Sequence, residues 1–186
     1  SLIKAADHSP HHWKRIRDKA IIQTFRASGG RVGGLVSANI DSCDLRERHI
    51  IVIEKGNIQR AIFLSPAAAK AVRVWLKERE KLKPKDNALF IGGHGRRLTT
   101  TGISHTLAQL SRLGGTQGPT NPHAFRHGFA RDTLKNGADI FRLSRLMGHK
   151  GVAVTAQYYI HWDYSDIKES HQKYNPHKKK PKHKRV

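Results

Sequence analysis

Several basic side chains in this sequence of 186 residues occur at spacings that could bring them to one phosphate group. Arg31 lies in an apolar stretch between two glycine pairs, where a solvated surface arginine is not expected. Its planar guanidinium can donate two parallel hydrogen bonds to phosphate and stays charged at any working pH. His123 and Arg126 are three residues apart, so on one helix they point to the same side. His149 follows Gly148 at a predicted helix start, where backbone N–H groups favour an anion. These groups could stabilise the charge that grows on phosphate oxygens during phosphodiester cleavage.

The overall charge points to a polyanionic partner. The sequence has 35 Lys and Arg against 14 Asp and Glu, a formal net charge of +21. Such a surplus repels itself unless a polyanion neutralises it, which favours nucleic acid. An anionic membrane surface is the competing interpretation. However, no segment approaches the roughly 20 apolar residues that span a bilayer, and the N-terminus has no signal-peptide pattern. We therefore expect no membrane partner, and a protein that acts in the cytoplasm beside the nucleoid.

The sequence does not indicate metal or disulfide chemistry. The one cysteine, Cys43, has no partner within the chain and is expected to be a small apolar side chain. His123 and His127 are four residues apart, as two zinc ligands on a helix would be, but no third ligand is evident nearby. We expect no metal and no other cofactor.

Apolar spacing and turn residues predict an α+β fold, mainly helical with one small antiparallel sheet. The β-branched run 50–53, the turn residues 55–57 and the apolar run 61–64 predict a hairpin. Helices are predicted from about residue 17 to Gly29 and over residues 32–38, 65–82, 101–113, 123–136, 139–147 and 151–160.

Composition divides the chain into three parts. Residues 1–14 are polar and rich in histidine, and we expect a linker remnant there. Residues 15–174 are expected to form the domain. Residues 175–186 are almost all Lys, His, Arg and Pro, a composition that cannot bury a core and predicts a disordered basic tail.

Five segments resemble, in their order and spacing, the motifs of the tyrosine recombinase family. They are Gly29-Gly30-Arg31, Glu54-Lys55-Gly56-Asn57, His123-Ala124-Phe125-Arg126, Leu146-Met147-Gly148-His149 and Gln157-Tyr158-Tyr159-Ile160-His161. Taken singly, Lys55 would be an ordinary turn residue, His149 a helix cap and the tyrosines half-buried aromatics. The order of all five, over about residues 15–165, favours the family instead.

The resemblance implies the catalytic domain of a site-specific recombinase or integrase, which cuts and rejoins DNA through a 3′-phosphotyrosine. Arg31, Arg126, His123 and His149 would stabilise the transition state. His123 would also be a candidate proton acceptor, and Lys55 the general acid for the leaving oxygen. A 5′-hydroxyl then attacks the phosphotyrosine, so neither ATP nor a metal is implied. The expected partners are double-stranded DNA and further copies of the protein, in a tetramer on that DNA.

The nucleophile is one of two adjacent tyrosines. Tyr158 lies nine residues after His149, a common spacing in the family. Tyr159 lies ten residues after it, a spacing also found, and it alone forms a Tyr-x-His pattern with His161. Tyr159 is preferred, and Tyr158 is the alternative.

Two features depart from the family pattern. Family members commonly carry an acidic residue three positions after the first arginine, and this chain has Gly34 there. Whatever orients Arg31 must therefore come from elsewhere. The helical domain that usually precedes this one is also missing, so we expect part of a longer protein.

Two other functions remain open at this stage. A type IB topoisomerase shares the tyrosine chemistry but reseals the same strand; the Leu-Met-Gly-His motif and the short chain favour a recombinase. A non-catalytic basic module that binds DNA or RNA is the second, and Gly34 would suit such a degenerate relative.

Overall fold

Helices make up most of the computed structural model, which describes residues 1–149, 151–159, 168–169 and 171–173. A small antiparallel sheet with strand order β1-β2-β3 accompanies them, so the predicted fold class is confirmed. None of the helices in this part of the chain has both the length and the apolar character needed to cross a membrane. The predicted basic tail, 175–186, lies outside the described residues.

In chain order the elements are α1 (Leu2–Ala6), α2 (His12–Ser28), α3 (Val32–Ser37), a 3-10 turn (Ile40–Ser42), β1 (Cys43–Asp44), β2 (His49–Glu54), β3 (Ile58–Phe63), α4 (Pro66–Glu80), α5 (Thr100–Leu113), α6 (Pro122–Lys135), α7 (Ile140–Met147) and α8 (Val152–Tyr159).

The first 14 residues differ from the predicted linker remnant. Helix α1 buries Leu2, Ala5 and Ala6 and packs on α2 and α5. Helix α2 begins at His12, before the predicted start at residue 17. The linker prediction is wrong for this segment, because a single helical turn with three apolar residues on one face is too short to stand out among polar neighbours.

The predicted hairpin is confirmed. Strands β2 and β3 pair along their whole length and end with Glu54 opposite Ile58, before the turn at residues 55–57. Side chains alternate along a strand, so Ile50, Val52 and Glu54 share one face of β2. The first two are fully buried, and β2 packs on α3. An acidic residue therefore ends a row that otherwise faces the core.

Two groups of buried apolar side chains stand out in the described part of the chain. The larger joins α1–α5 to the sheet, and the smaller holds Ala130, Leu143 and Met147 between α6 and α7. Helix α6 also packs on α2, where a Cβ on Gly29 would lie 2.5 Å from Cδ1 of Phe129. Gly29 has a φ of 56°, so both its conformation and its close neighbour require glycine. This contact brings α6 to the junction of α2 and α3.

Candidate active site

Arg126 is a buried arginine held between the ends of two other helices. It lies on α6, whose first turn is capped by Asn121, because that side chain accepts a hydrogen bond of 2.9 Å from the N–H of Ala124. Nη1 of Arg126 donates to the carbonyl of Gly29 at the end of α2 (2.7 Å). Its Nη2 donates to the carbonyl of Met147 at the end of α7 (2.5 Å). These two acceptors fix the guanidinium where α2 and α7 end.

His149 lies just after the end of α7. Gly148 takes the left-handed conformation (φ 64°, ψ 39°) and its N–H donates to the carbonyl of Arg145, while the N–H of His149 donates to the carbonyl of Ser144, both at 3.1 Å. This is a Schellman motif, which ends a helix. The expectation that His149 sits at a helix start is therefore wrong. Its backbone N–H is already used, and only its side chain is available to the site.

The imidazole of His149 connects an arginine to a buried hydroxyl. Its Nε2 lies 2.9 Å from Nη2 of Arg126, and its Nδ1 lies 2.6 Å from Oγ1 of Thr155 on α8. Burial lowers the pKa of His149 below its ordinary 6.5, and the positive charge of Arg126 lowers it further. The imidazole is therefore neutral at pH 7. Because arginine can only donate, Nε2 accepts from Arg126 and Nδ1 carries the proton.

Arg31 is oriented by a carboxylate that comes from the hairpin. Its Nη1 pairs with Oε2 of Glu54, and its Nη2 donates to the carbonyl of Gly148 (3.1 Å). The other oxygen of Glu54 accepts from Nη2 of Arg60 (2.7 Å), and Nη1 of Arg60 donates to the carbonyl of Leu146 (2.8 Å). The side chain of Glu54 is 8% exposed and that of Arg31 is 41% exposed. One buried carboxylate thus bridges two arginines and leaves part of Arg31 open to solvent.

The structure brings Arg31, Arg126 and His149 together at the end of α7. The first two donate to carbonyls of Gly148 and Met147, and the third follows directly in the chain. Lys55 is exposed in the turn directly after β2, and so follows the residue that pairs with Arg31. His123 is exposed in the first turn of α6, one helical turn before Arg126.

The two candidate tyrosines end α8. Tyr158 and Tyr159 follow Thr155 by three and four positions, and Thr155 is the residue that contacts His149. The side chains of both tyrosines, and all of His161, lie outside the described residues.

Sequence reasoning misses Glu54, Arg60 and Thr155. The one available signal is the alternation along β2, which places Glu54 in line with Ile50 and Val52 on a core-facing row. An acidic residue in such a row needs a cationic partner, since a buried charge is costly without one. No comparable pattern singles out Arg60 or Thr155.

The cluster formed by these side chains is suited to an anion. Arg31, Arg60 and Arg126 bring three positive charges, Glu54 brings one negative charge, and the imidazole is neutral. Among the described residues, no group of three His, Cys, Asp or Glu side chains is placed to hold a metal ion. Half-buried Cys43 lies apart from these contacts, and burial raises the pKa of its thiol to about 12.

Comparison with known proteins gives matches over most of the chain. The model of the phage integrase family matches residues 1–166. The tyrosine recombinase XerC of Histophilus somni (strain 2336) is 35% identical over 167 residues, which are 90% of this chain and 56% of the relative. XerC of Alcanivorax borkumensis is 38% identical over 154 residues, 82% of this chain and 50% of the relative. This chain therefore spans about half the length of these relatives.

Solved structures show the same fold. The crystal structure of XerA recombinase superposes with a TM-score of 0.78 at 30% identity, covering 94% of this chain and 62% of that one. The XerH site-specific recombinase, in a pre-cleavage complex with its difH substrate, superposes with a TM-score of 0.76 at 22% identity. That match covers 91% of this chain and 50% of the XerH chain.

Proposed function

Since this chain belongs to the phage integrase family, we propose that it is the catalytic part of a site-specific DNA recombinase that cuts and rejoins DNA through a 3′-phosphotyrosine. One observation carries the proposal. Arg31 and Gly148, 117 positions apart, are joined by a hydrogen bond, and Arg126 and His149 meet at the same place. Carbonyls and a carboxylate of the protein itself hold Arg31 and Arg126, which is the preorganisation that transition-state stabilisation requires.

The arginines act on the phosphate, and His149 contributes to transition-state stabilisation through Arg126. Arg31 and Arg126 stabilise the charge that develops on the non-bridging oxygens. Neutral His149 helps to hold Arg126 in place through Nε2. The guanidinium groups provide the charge neutralisation that Mg²⁺ provides in other nucleases, so the proposed cleavage needs no metal.

Proton transfer falls to residues at the edge of the cluster. Lys55, exposed in the hairpin turn, is the proposed general acid that protonates the leaving 5′-oxygen. His123, exposed at the start of α6, is a proposed proton acceptor and adds to the stabilisation. The proposed nucleophile is Tyr159, with Tyr158 as the alternative. Its hydroxyl attacks phosphorus, the bond to the 5′-oxygen breaks, and a 5′-hydroxyl later reverses the step.

The proposed partners are double-stranded DNA and further copies of the chain. The formal charge of +21 supports DNA, and the related XerH was solved on its difH substrate. Exchange of strands between two duplexes requires several active sites, which supports a tetramer on DNA. We place this activity in the cytoplasm, at the nucleoid.

Covalent capture tests the proposal. The chain is incubated with a pool of nicked duplexes of randomised sequence and boiled in detergent, and surviving protein–DNA adducts are digested to identify the linked residue by mass spectrometry. A nick beside the cleavage point lets the short fragment diffuse away, so the adduct accumulates. We expect adduct with the native chain and with Tyr158→Phe, and none with Tyr159→Phe.

The other outcomes are informative. If the adduct is lost only in Tyr158→Phe, the nucleophile is Tyr158, and the rest of the proposal stands. Adduct in the double Phe variant contradicts the mechanism. DNA binding without any adduct in the native chain favours a non-catalytic module, and relaxation of supercoiled plasmid of arbitrary sequence favours a topoisomerase.

A further inference from the structure

The acidic residue that family members commonly carry at position 34 is absent, yet Arg31 has a carboxylate partner. That partner, Glu54, comes from the end of β2 rather than from α3. The two positions lie side by side. A Cβ built on buried Gly34 would lie 3.2 Å from Cγ2 of Val52 and 3.6 Å from Cγ of Glu54.

The missing side chain at position 34 is what makes room for this arrangement. Gly34 lets β2 lie closely on α3, so that Glu54 passes over the glycine and reaches Arg31. An acidic side chain at position 34 would start within van der Waals contact of the side chain that now pairs with Arg31. The side chain of Glu54 therefore lies beside the place that a side chain at position 34 would occupy.

The carboxylate of Glu54 is fully engaged on both oxygens. One pairs with Arg31 and the other accepts from Arg60 at 2.7 Å, while Arg60 is in turn held by the carbonyl of Leu146. Both partners are cations and the carboxylate is buried, so the ionised form is the one that fits. Arg31 is thus fixed relative to the end of α7.

We propose that Glu54 is the positioning residue for Arg31 and that it supplies from β2 the carboxylate that position 34 lacks. This inference rests on the proposed function, because orienting Arg31 matters only if Arg31 binds the reacting phosphate. Glu54 and Lys55 are consecutive, so the same strand end that orients Arg31 begins the turn that carries the proposed general acid. Movement of the hairpin would then displace both groups together.

Removal of the charge alone is the first test. Glu54→Gln keeps the shape of the side chain and one oxygen acceptor, and Glu47→Gln makes the same charge change at an exposed turn residue. Substrate is a nicked duplex recovered by the covalent capture described above. We expect the single-turnover cleavage rate of Glu54→Gln at saturating DNA to fall on the order of 10²-fold, as displacement of a reacting group typically does. The Kd for DNA should stay within about twofold of that of Glu47→Gln.

Moving the carboxylate back to α3 is the second test. Glu54→Ala should be slow, and Gly34→Glu together with Glu54→Ala should recover at least about tenfold in rate over Glu54→Ala alone. Gly34→Glu in the native background should be slower than the native chain, because it crowds Val52 and sets two carboxylates beside each other. An increase in cleavage rate that Gly34→Glu causes only when Glu54 is absent would not be expected if Glu54 were purely structural.

The tests separate this inference from the proposed function. A native chain that forms no adduct defeats the proposed function itself. Adduct formation by Glu54→Gln at the rate of Glu47→Gln overturns the inference and leaves the function standing. The inference is also overturned if the Gly34→Glu, Glu54→Ala double variant has the same thermal midpoint as Glu54→Ala and cleaves no faster than it.

Discussion

Oγ1 of Thr155 lies 2.6 Å from Nδ1 of His149, and this contact joins α8, the helix that ends in both candidate nucleophiles, to the arginine cluster. Arg126 can only donate to the opposite ring nitrogen, so the proton of His149 is on Nδ1, and Oγ1 of Thr155 accepts a hydrogen bond from Nδ1–H. The hydroxyl on α8 thus accepts from the imidazole tautomer that Arg126 sets. The protonation state of His149 and the position of α8 are coupled through one hydrogen bond.

Loss of that hydroxyl should slow cleavage without weakening DNA binding. Thr155→Val keeps the branched shape but leaves Nδ1–H of His149 without its acceptor, a loss of about 0.5–1.5 kcal/mol for a typical hydrogen bond. We expect roughly a 2- to 10-fold lower single-turnover rate. Thr101→Val, at an exposed position of α5, is the matched control. Equal rates for the two variants would show that the hydrogen bond between Thr155 and His149 does not limit cleavage.

Stability should decrease below pH 6.5, and His149 should account for part of the decrease. Burial and neighbouring arginines lower the pKa of folded His149 below 6.5, so between the two pKa values the unfolded chain binds more protons than the folded one. The contribution of neutral His149 is therefore fully present above pH 6.5 and is lost as the pH falls from 6.5 toward the folded pKa. Thermal midpoints measured from pH 5 to 8 should fall less steeply at acid pH for His149→Gln than for the native chain. Parallel curves would argue against the lowered pKa.

Arg31 and Arg126, the two arginines proposed to stabilise the transition state, should differ in their effect on stability and agree in their effect on rate. Arg31→Ala and Arg126→Ala should each slow cleavage by on the order of 10²-fold or more. Arg126→Ala should lower the thermal midpoint more than Arg31→Ala does, because Arg126 is buried and bonds two backbone carbonyls that would lose their donor, whereas Arg31 is part-exposed and Glu54 keeps Arg60 as a partner. Arg131→Ala, an exposed site on the same helix, controls for loss of charge. Cleavage by the native chain should be undiminished in EDTA; strict dependence on a divalent ion would point to another mechanism.

Gly148 should tolerate no side chain. Its φ of 64° costs an alanine roughly 1–2 kcal/mol, and a Cβ there would lie 2.6 Å from Nε of Arg60. Gly137 also has a positive φ, of 88°, but nothing lies within 4 Å of its Cβ position. We expect Gly148→Ala to reduce the free energy of unfolding more than Gly137→Ala does, with the difference reporting the clash with Arg60. Equal losses in denaturant titrations would mean that Arg60 moves aside freely.

Local chemistry in the sequence determined most of the helices and the hairpin. Asn121-Pro122 and Ser65-Pro66 predicted two helix starts, and in both the polar side chain accepts from the N–H three residues on. The hairpin followed from β-branched strands around a turn at residues 55–57. These predictions hold because helix caps and turns depend on groups within a few residues of each other. The local sequence is therefore enough to predict where they form.

Only the tertiary structure decided the partners of the site residues. The sequence placed Arg31 and identified Gly34 as a departure from the family, but it could not show that Glu54 replaces the missing carboxylate. That role depends on how closely β2 packs on α3, and packing distances between elements 20 residues apart are not encoded in any short pattern. The same holds for Thr155 and His149, which meet because α7 ends in a Schellman motif and the chain turns back into α8. A hydrogen bond between elements requires both orientations to be set by the core, and the core forms from the whole chain at once.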